Sequence, residues 1–411
     1  MTKLKPADIK YLALEGGGGK GYAYLGALEI LQDQGVLGHI DGYAGASAGA
    51  ITAMLLSIGY NPTQLRGFLA GTDFNKWWER ETEGNRSMPE LGAGGYPTVT
   101  TSKEEASAIL LAGKLAGAST PLVPMAVAAL TGSITAEPGA SVIDNWVRMM
   151  VFAKRDMGFF PGQAPKLTFQ RVIEEAITNE LTGHPEKASL VRAPSALTFA
   201  EHYAFFGKRL ILTATNLSTK TTEILSATST PDLLVADGVR MSMSLPFIYK
   251  PYVITKPGRP PCGTYVDGGV FNNLPFREFE GEGLAALFTP KQQGPGVYAV
   301  QNTLLLRLEI MPPVKIRSFN DLFMDALKNG FLGTGESQIN SRYADQQIIL
   351  DTAGLGLVDF APPQTMIDTI TKRSRRELLR YFGQPVGTAD QNAADDQASS
   401  ARRTGAGSAC D

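Results

Sequence analysis

The chain has 411 residues, of which 43% are hydrophobic and 19% are charged, so it can bury a sizeable core and is not disordered as a whole. Its net charge of −2 excludes the broad positive field of a typical nucleic-acid-binding protein. Two cysteines, Cys262 and Cys410, exclude a disulfide framework and fit a reducing, cytoplasmic compartment. The three histidines, His39, His184 and His202, restrict any scheme that needs a histidine base.

The sequence predicts no targeting or membrane-spanning segment. The N-terminal ten residues contain several charges and no long apolar run, unlike a signal peptide. The most apolar stretch, residues 108–136, is interrupted by Lys114, Pro121 and Pro124. A spanning helix needs about 20 uninterrupted apolar residues. We therefore favour a packed helical pair here, with a membrane-touching insertion as the alternative.

The predicted elements begin with a repeated α/β pattern. A β-prone run over residues 10–14 leads through a glycine cluster into a helix over 21–35. A second short strand at 42–44 leads into a small-residue helix over 48–58, with Pro62 beyond it. Two successive strand–loop–helix units predict parallel strands in an α/β fold.

Regularity weakens over residues 71–165, which we interpret as an insertion, and then returns. Beyond residue 384 the composition predicts a disordered tail, so one folded domain is expected over 1–383. The later predicted elements are helices over 169–180, 231–243, 319–343 and 364–382, and strands over 209–215, 221–227, 263–266 and 303–310, the last with alternating character.

A G-x-S-x-G motif, Gly45-Ala46-Ser47-Ala48-Gly49, joins the second predicted strand to its helix. In a nucleophile elbow the flanking glycines permit a very sharp turn, and the turn exposes the serine hydroxyl at a helix N-terminus. The alternative is an ordinary tight turn in which Ser47 caps the helix. The strand–turn–helix context favours a catalytic serine.

A glycine-rich loop follows the first strand and can present consecutive backbone N–H groups to an anion, including the oxyanion of acyl transfer. The same loop fits the dinucleotide pattern G-x-G-x-x-G, which leaves a dinucleotide-binding protein as the alternative function. That alternative needs an acid after the second strand, whereas Asp41 precedes it. The loop consists of Gly16, Gly17, Gly18, Gly19, Lys20 and Gly21.

The third motif, Asp267-Gly268-Gly269, directly follows the strand predicted at 263–266. The alternative interpretation of this motif is a solvent-facing turn. Ser47 needs a base to become a nucleophile. Neither His184 nor His202 lies in a glycine-framed loop after a clear strand, so a histidine triad is disfavoured. A carboxylate that acts directly on the serine is the economical alternative.

Together the three motifs resemble the patatin-like phospholipase family over roughly residues 10–280. The segment 265–275, YVDGGVFNNLP, is similar to the family's second catalytic loop, and 241–246, MSMSLP, is similar to the helix end before it. Glu15 stands where the family more often has Asp. The family's remaining motif positions correspond to Gly16, Lys20, Gly21, Gly45, Gly49, Gly268 and Gly269.

The resemblance implies a three-layer α/β/α sandwich with a mostly parallel central sheet, a helical insertion and C-terminal helices. It implies a Ser–Asp dyad in which Ser47 is the nucleophile and Asp267 the base, with an oxyanion hole at Gly17, Gly18 and Gly19. It implies no metal and no cofactor. The expected activity is hydrolysis of fatty-acyl esters of phospholipids or lysophospholipids by a cytoplasmic protein.

Two basic features suggest contact with lipid headgroups. Lys20 can meet a lipid phosphate or simply cap its loop. The run Lys372-Arg373-Ser374-Arg375-Arg376 can attract anionic headgroups of a membrane. Its simpler interpretation is a helix end that is rich in cations because the helix dipole favours them there.

Overall fold

The computed structural model describes residues 3–77, 158–279, 302–308, 341–355 and 359–387. Most of the predicted insertion, almost all of the predicted helix over 319–343 and nearly the whole predicted tail lie outside these ranges. The predicted domain boundary at residue 383 therefore stays a prediction.

The described strands and α-helices alternate along the first part of the chain. The strands are β1 Tyr11–Leu14, β2 Gly42–Gly45, β3 Gly158–Phe160, β4 Arg209–Asn216, β5 Thr221–Leu225, β6 Phe247–Tyr249, β7 Tyr252–Ile254, β8 Gly263–Asp267, β9 Thr303–Leu308 and β10 Gln347–Leu350. The helices are α1 Tyr24–Asp33, α2 Ala48–Ser57, α3 Pro62–Gly71, α4 Gln163–Gly183, α5 Phe199–Phe206, α6 Val235–Ser242 and α7 Gln364–Tyr381.

The main sheet confirms the prediction of a mostly parallel α/β fold. Eight strands form it, in the order β10-β9-β1-β2-β4-β8-β7 with β5 also paired to β4. β10, β9, β1, β2 and β4 are parallel neighbours. β5 and β8 run antiparallel to β4, and β7 runs antiparallel to β8. β3 and β6 form a separate parallel pair.

Both faces of the sheet are buried. Leu12 and Leu14 of β1 belong to the large core cluster that includes α1, α2 and α7. Ala13, between them, faces the opposite side and packs with Phe276 and Leu305. In the described ranges this second face is covered by the segment after β8 and by part of the segment before β10. A helical layer there stays a prediction.

The alternating burial predicted for β9 is wrong. All six of its residues are buried, because the strand lies between β1 and β10 in a parallel sheet whose two faces are both covered.

Helix α3 was not predicted. From the sequence we interpreted Pro62 only as a residue that follows the helix over 48–58 and not as the start of another helix. Pro62 instead occupies the first turn of α3, where its missing N–H costs nothing. Asn61 caps this helix: its side chain accepts the Gln64 N–H over 2.9 Å, and the Gln64 side chain accepts the Asn61 N–H over 3.0 Å.

Other differences concern short elements. Helix α5 was missed, although Thr198 and Glu201 form a capping box at its start and give a readable sequence signal. Helix α4 begins at Gln163, earlier than predicted, and α6 begins only at Val235. Strands β6 and β7 have three residues each, too few to show a period.

Among the residues that the structure describes, no helix combines the length and the hydropathy that a membrane span requires.

Candidate active site

The G-x-S-x-G turn forms a nucleophile elbow between β2 and α2. Ser47 has φ 52° and ψ −122°, a conformation that non-glycine residues rarely adopt. A Cβ on Gly45 would lie 2.3 Å from the Gly49 carbonyl oxygen, and one on Gly49 would lie 2.2 Å from the Leu14 carbonyl oxygen. The two motif glycines are therefore required by close backbone packing.

The glycine loop lies directly against this elbow. A Cβ on Gly16 would lie 3.0 Å from the Ser47 Cβ. The loop continues into a 3₁₀ helix over Gly18–Ala23, whose first internal backbone bond runs from the Lys20 N–H to the Gly17 carbonyl. Within the described ranges the N–H groups of Gly17, Gly18 and Gly19 donate no hydrogen bond, as expected at a helix start. Gly18, with φ 55°, and Gly19 also line the cleft that contains Ser47.

Asp267 is the last residue of β8 and is placed by an antiparallel strand. It pairs with Ala214 of β4, while Gly45 of β2 pairs with Leu212 on the same strand. The carboxyl ends of β8 and β2 therefore lie at nearly the same level on either side of β4, and Ser47 follows the end of β2. The following turn requires glycine, because a Cβ on Gly268 would lie 2.3 Å from the Thr213 carbonyl oxygen.

Burial dominates the electrostatics of Asp267. Its exposed fraction is 2%, and desolvation raises its pKa to about 7, although hydrogen bonds from the Ser47 side chain and the Gly269 N–H lower the pKa. The Gly269 N–H donates to Oδ1 over 2.7 Å. Oδ2 is buried, and no described group bonds it with full hydrogen-bond geometry. The Ser47 interaction is therefore long or poorly aligned, as is common before a substrate binds.

Two residues that the sequence did not indicate hold these loops in place. Ser242, the last residue of α6, accepts the backbone N–H of Ser47 on its Oγ over 3.1 Å. Asn273 bonds Gly16 through both its side chain and its carbonyl. Both lie in segments that resemble family motifs, so the signal was present, but nothing in the sequence showed which atoms they would contact.

Glu15, the residue that departs from the family pattern, is structural. Its Oε2 accepts the Leu308 N–H over 2.9 Å and lies 3.7 Å from Arg307 Nε. The side chain therefore ties the end of β1 to the end of β9.

Three of the four cations in the basic run of α7 are used within the fold, and Lys372 alone of the four is exposed. Arg373 pairs with Asp351 over 3.1 Å, and Arg375 pairs with Glu29 over 2.8 Å. Arg376 is buried. The hypothesis that this run attracts membrane headgroups loses most of its support, because its three arginines are used within the fold. Lys20 is half-buried on the 3₁₀ helix beside the cleft.

The structure places no histidine beside Ser47. His202 is buried, its ring nitrogen Nε2 lies 2.8 Å from Ser57 Oγ, and burial lowers its pKa to about 3. Ser57 is the last residue of α2, whereas Ser47 immediately precedes the first. The length of the helix therefore separates this Ser–His pair from the elbow by about 15 Å.

The other two histidines also have partners away from the elbow. His184 Nδ1 lies 3.2 Å from a carboxylate oxygen of Glu186, just after α4. His39 Nε2 lies 3.1 Å from the carbonyl oxygen of Pro6, before β1.

The dinucleotide alternative also loses support. Asp41, its candidate ribose ligand, immediately precedes β2 and bonds the backbone of Lys10 and Arg209. It lies at the amino edge of the parallel strands, whereas the glycine loop lies at their carboxyl edge. Among the described residues there is also no cluster of three or more potential metal ligands.

Ser47 lines a cleft whose walls are mainly apolar. The lining comes from the glycine loop, α2, α3, the aromatic 3₁₀ turn after α3 and the segment after α6. Its residues are Gly18, Gly19, Gly21, Tyr22, Ser47, Ala48, Ile51, Thr52, Leu55, Leu65, Phe68, Leu69, Phe74, Trp77, Met243, Leu245, Tyr249 and Phe360.

Comparison with known proteins agrees with this geometry. A family model described as patatin-like phospholipase matches residues 12–280, which contain all three motifs. The chain belongs to the patatin-like phospholipase family. The nucleophile elbow, the glycine loop and the Asp-Gly-Gly turn of this patatin-like protein thus all fall inside the matched region.

Individual relatives of this patatin-like protein are distant. A probable lipid hydrolase, 463L, of Invertebrate iridescent virus 6 is 32% identical over 80 residues, 20% of this chain and 26% of that protein. The uncharacterized protein R571 of Acanthamoeba polyphaga mimivirus is 29% identical over 146 residues, 35% of this chain and 43% of that protein. The matches thus span less than half of either curated relative. The crystal structure of VipD from Legionella pneumophila has a TM-score of 0.46 at 17% identity, covering 92% of this chain and 67% of that one.

Proposed function

We propose that this protein is a serine acyl hydrolase that cleaves fatty-acyl esters of phospholipids or lysophospholipids through a Ser47–Asp267 dyad. The family supports lipid-ester hydrolysis. The observation that carries the dyad is a serine in a strained elbow that lines an apolar cleft, beside a buried carboxylate.

In the first half-reaction Ser47 Oγ attacks the ester carbonyl carbon while Asp267 accepts the hydroxyl proton. The negative charge on the carbonyl oxygen is stabilised by the N–H groups of Gly17, Gly18 and Gly19. Collapse of this intermediate breaks the bond to the leaving alcohol, which takes the proton back from Asp267. The acyl group remains attached to Ser47.

In the second half-reaction Asp267 removes a proton from water, and the resulting nucleophile attacks the acyl-enzyme carbonyl. Ser47 leaves as the hydroxyl after Asp267 returns the proton, and a fatty acid is released. A base is most effective when its pKa lies near the working pH. The burial that raises the pKa of Asp267 to about 7 therefore supports its role.

The apolar cleft supports a fatty-acyl substrate, because an alkyl chain gains about 0.8 kcal/mol for each methylene that it buries. We further propose that the protein is cytoplasmic and acts on phospholipid by binding reversibly to the surface of a membrane. The half-buried Lys20 beside the cleft is the candidate to meet a lipid phosphate.

Labelling with a fluorophosphonate probe tests the nucleophile assignment. The full chain is treated with the probe, digested, and the modified residue is located by mass spectrometry. We expect modification at Ser47. Ser57 is an internal control, since it contacts a histidine but is buried and lies outside the cleft. Labelling at Ser57, or labelling that persists in Ser47→Ala, would contradict the proposal.

A further inference from the structure

The cleft extends from Ser47 along one face of α2. Its lining residues on that helix are Ala48, Ile51, Thr52 and Leu55. Their spacing of three and four residues puts them on one face over successive turns. The Thr52 hydroxyl donates to the Ala48 carbonyl over 3.0 Å, so it is already bonded within the helix. From Ser47 to Leu55 the helix rises by about 12 Å.

Helix α3 forms a second wall, and the exposed part of the cleft lies between two buried ends, one at Ser47 and one at Leu55. Ile51 and Phe68 are partly exposed. Leu55 and Leu65, at the other end, are 0% and 2% exposed. The cleft is therefore open near its middle and closed where Leu55 of α2 approaches the first turns of α3.

We propose that Leu55 and Leu65 close the far end of the acyl-chain site. They thereby set the acyl-chain length beyond which further methylenes no longer raise kcat/KM. This inference rests on the proposed acyl hydrolase function. An extended alkyl chain advances by about 1.3 Å per bond, so a length of about 12 Å accommodates roughly ten carbons. Carbons beyond that point must leave through the open side and gain little burial.

The test uses p-nitrophenyl esters of saturated acids with about 4 to 16 carbons, kept below their aggregation limits. In the wild type kcat/KM rises by up to about fourfold per buried methylene and then levels off near about ten carbons. Leu55→Ala removes three carbons from the closed end. We expect it to move the levelling point to chains longer by about two or three carbons.

Leu56→Ala is the matched control. Leu56 is the next residue of the same helix and is also buried, but it does not line the cleft. The Leu56→Ala variant should lose a similar amount of core packing. The chain length at which kcat/KM levels off should stay unchanged. Should Leu55→Ala fold poorly, Leu55→Val makes a milder change and should move the levelling point by about one carbon.

Three outcomes overturn the inference. An unchanged levelling point in a folded Leu55 variant overturns it and leaves the Ser47-dependent hydrolysis intact. An equal shift in Leu56→Ala overturns it as well, since the shift would then come from general loosening. If the wild type hydrolyses none of the esters, nor any phospholipid, the proposed function falls together with this inference.

Discussion

Asn273 is joined to Gly16 by two hydrogen bonds. The Asn273 side-chain amide donates to the Gly16 carbonyl over 3.1 Å, and the Gly16 N–H donates to the backbone carbonyl of Asn273 over 3.0 Å. A Cβ on Gly16 or on Gly269 would lie 2.3 Å or 2.5 Å from Asn273 Oδ1. The amide is thus enclosed between the glycine loop and the Asp-Gly-Gly turn. It fixes the proposed oxyanion donors relative to the proposed base.

Asn273→Ala should lower kcat/KM about 10- to 100-fold, because one buried hydrogen bond worth about 1–3 kcal/mol no longer holds the glycine loop. Steady-state kinetics on a short ester measures this effect. Asn272→Ala is the control, since the Asn272 side chain bonds Glu278 over 3.1 Å instead. Equal losses in the two folded variants would mean that Asn273 has no special positioning role.

The activity should depend on the ionisation of Asp267. Because burial raises its pKa to about 7, the carboxylate form is lost as pH falls through 7. We expect kcat/KM to fall about tenfold per pH unit below that value and to be flat above it. A pH–rate profile on an uncharged ester measures this dependence. A profile that stays flat down to pH 5 would rule out Asp267 as a base with a raised pKa.

Asp267→Asn should abolish hydrolysis and stabilise the protein at alkaline pH. An acid whose folded-state pKa is raised is most stabilising below its unfolded pKa, and this contribution is lost as pH rises through the folded pKa. Above pH 7 the wild type therefore carries a buried charge that the variant lacks. The variant should gain on the order of 2–4 kcal/mol at pH 8 and clearly less at pH 5. Denaturant unfolding at the two pH values measures the difference. If the variant and the wild type differ in unfolding free energy by the same amount at pH 8 and at pH 5, the raised pKa is contradicted.

Ser47→Gly and Ser47→Ala should both be inactive but should differ in stability. The positive φ of Ser47 suits glycine and strains any other residue by about 1 kcal/mol or more. Ser47→Gly should therefore unfold at a higher denaturant concentration than Ser47→Ala. Near-wild-type turnover in either variant would refute the nucleophile assignment.

Replacing His39, His184 and His202 together by Gln should leave kcat nearly unchanged. The substitution at His202 should cost about 1–3 kcal/mol of stability, because its buried contact with Ser57 is lost. Activity is measured per folded molecule. The double variant His39→Gln/His184→Gln, which keeps the buried His202, is the control. A folded triple variant without activity would require a histidine base after all.

The sequence alone determined the local chemistry of this protein. Paired glycines around Ser47 indicated the elbow, because few other residues permit so sharp a turn. Strands β1, β2, β4, β8 and β9 were predicted near their observed bounds, since each is bounded by turn residues. The three motifs in this order were specific enough to indicate the family.

Which of these residues meet depends on the packing of the whole chain. Asp267 reaches Ser47 because β8 runs antiparallel to β4, and no local pattern specifies strand order. The same holds for the Asn273–Gly16 bonds, for the inward ion pairs of the basic run of α7 and for the cleft between α2 and α3. Burial raises the pKa of Asp267 to about 7, and burial depends on neighbours distant in sequence. Residue types and spacing define local turns, whereas contacts and desolvation arise from the packing of the whole chain.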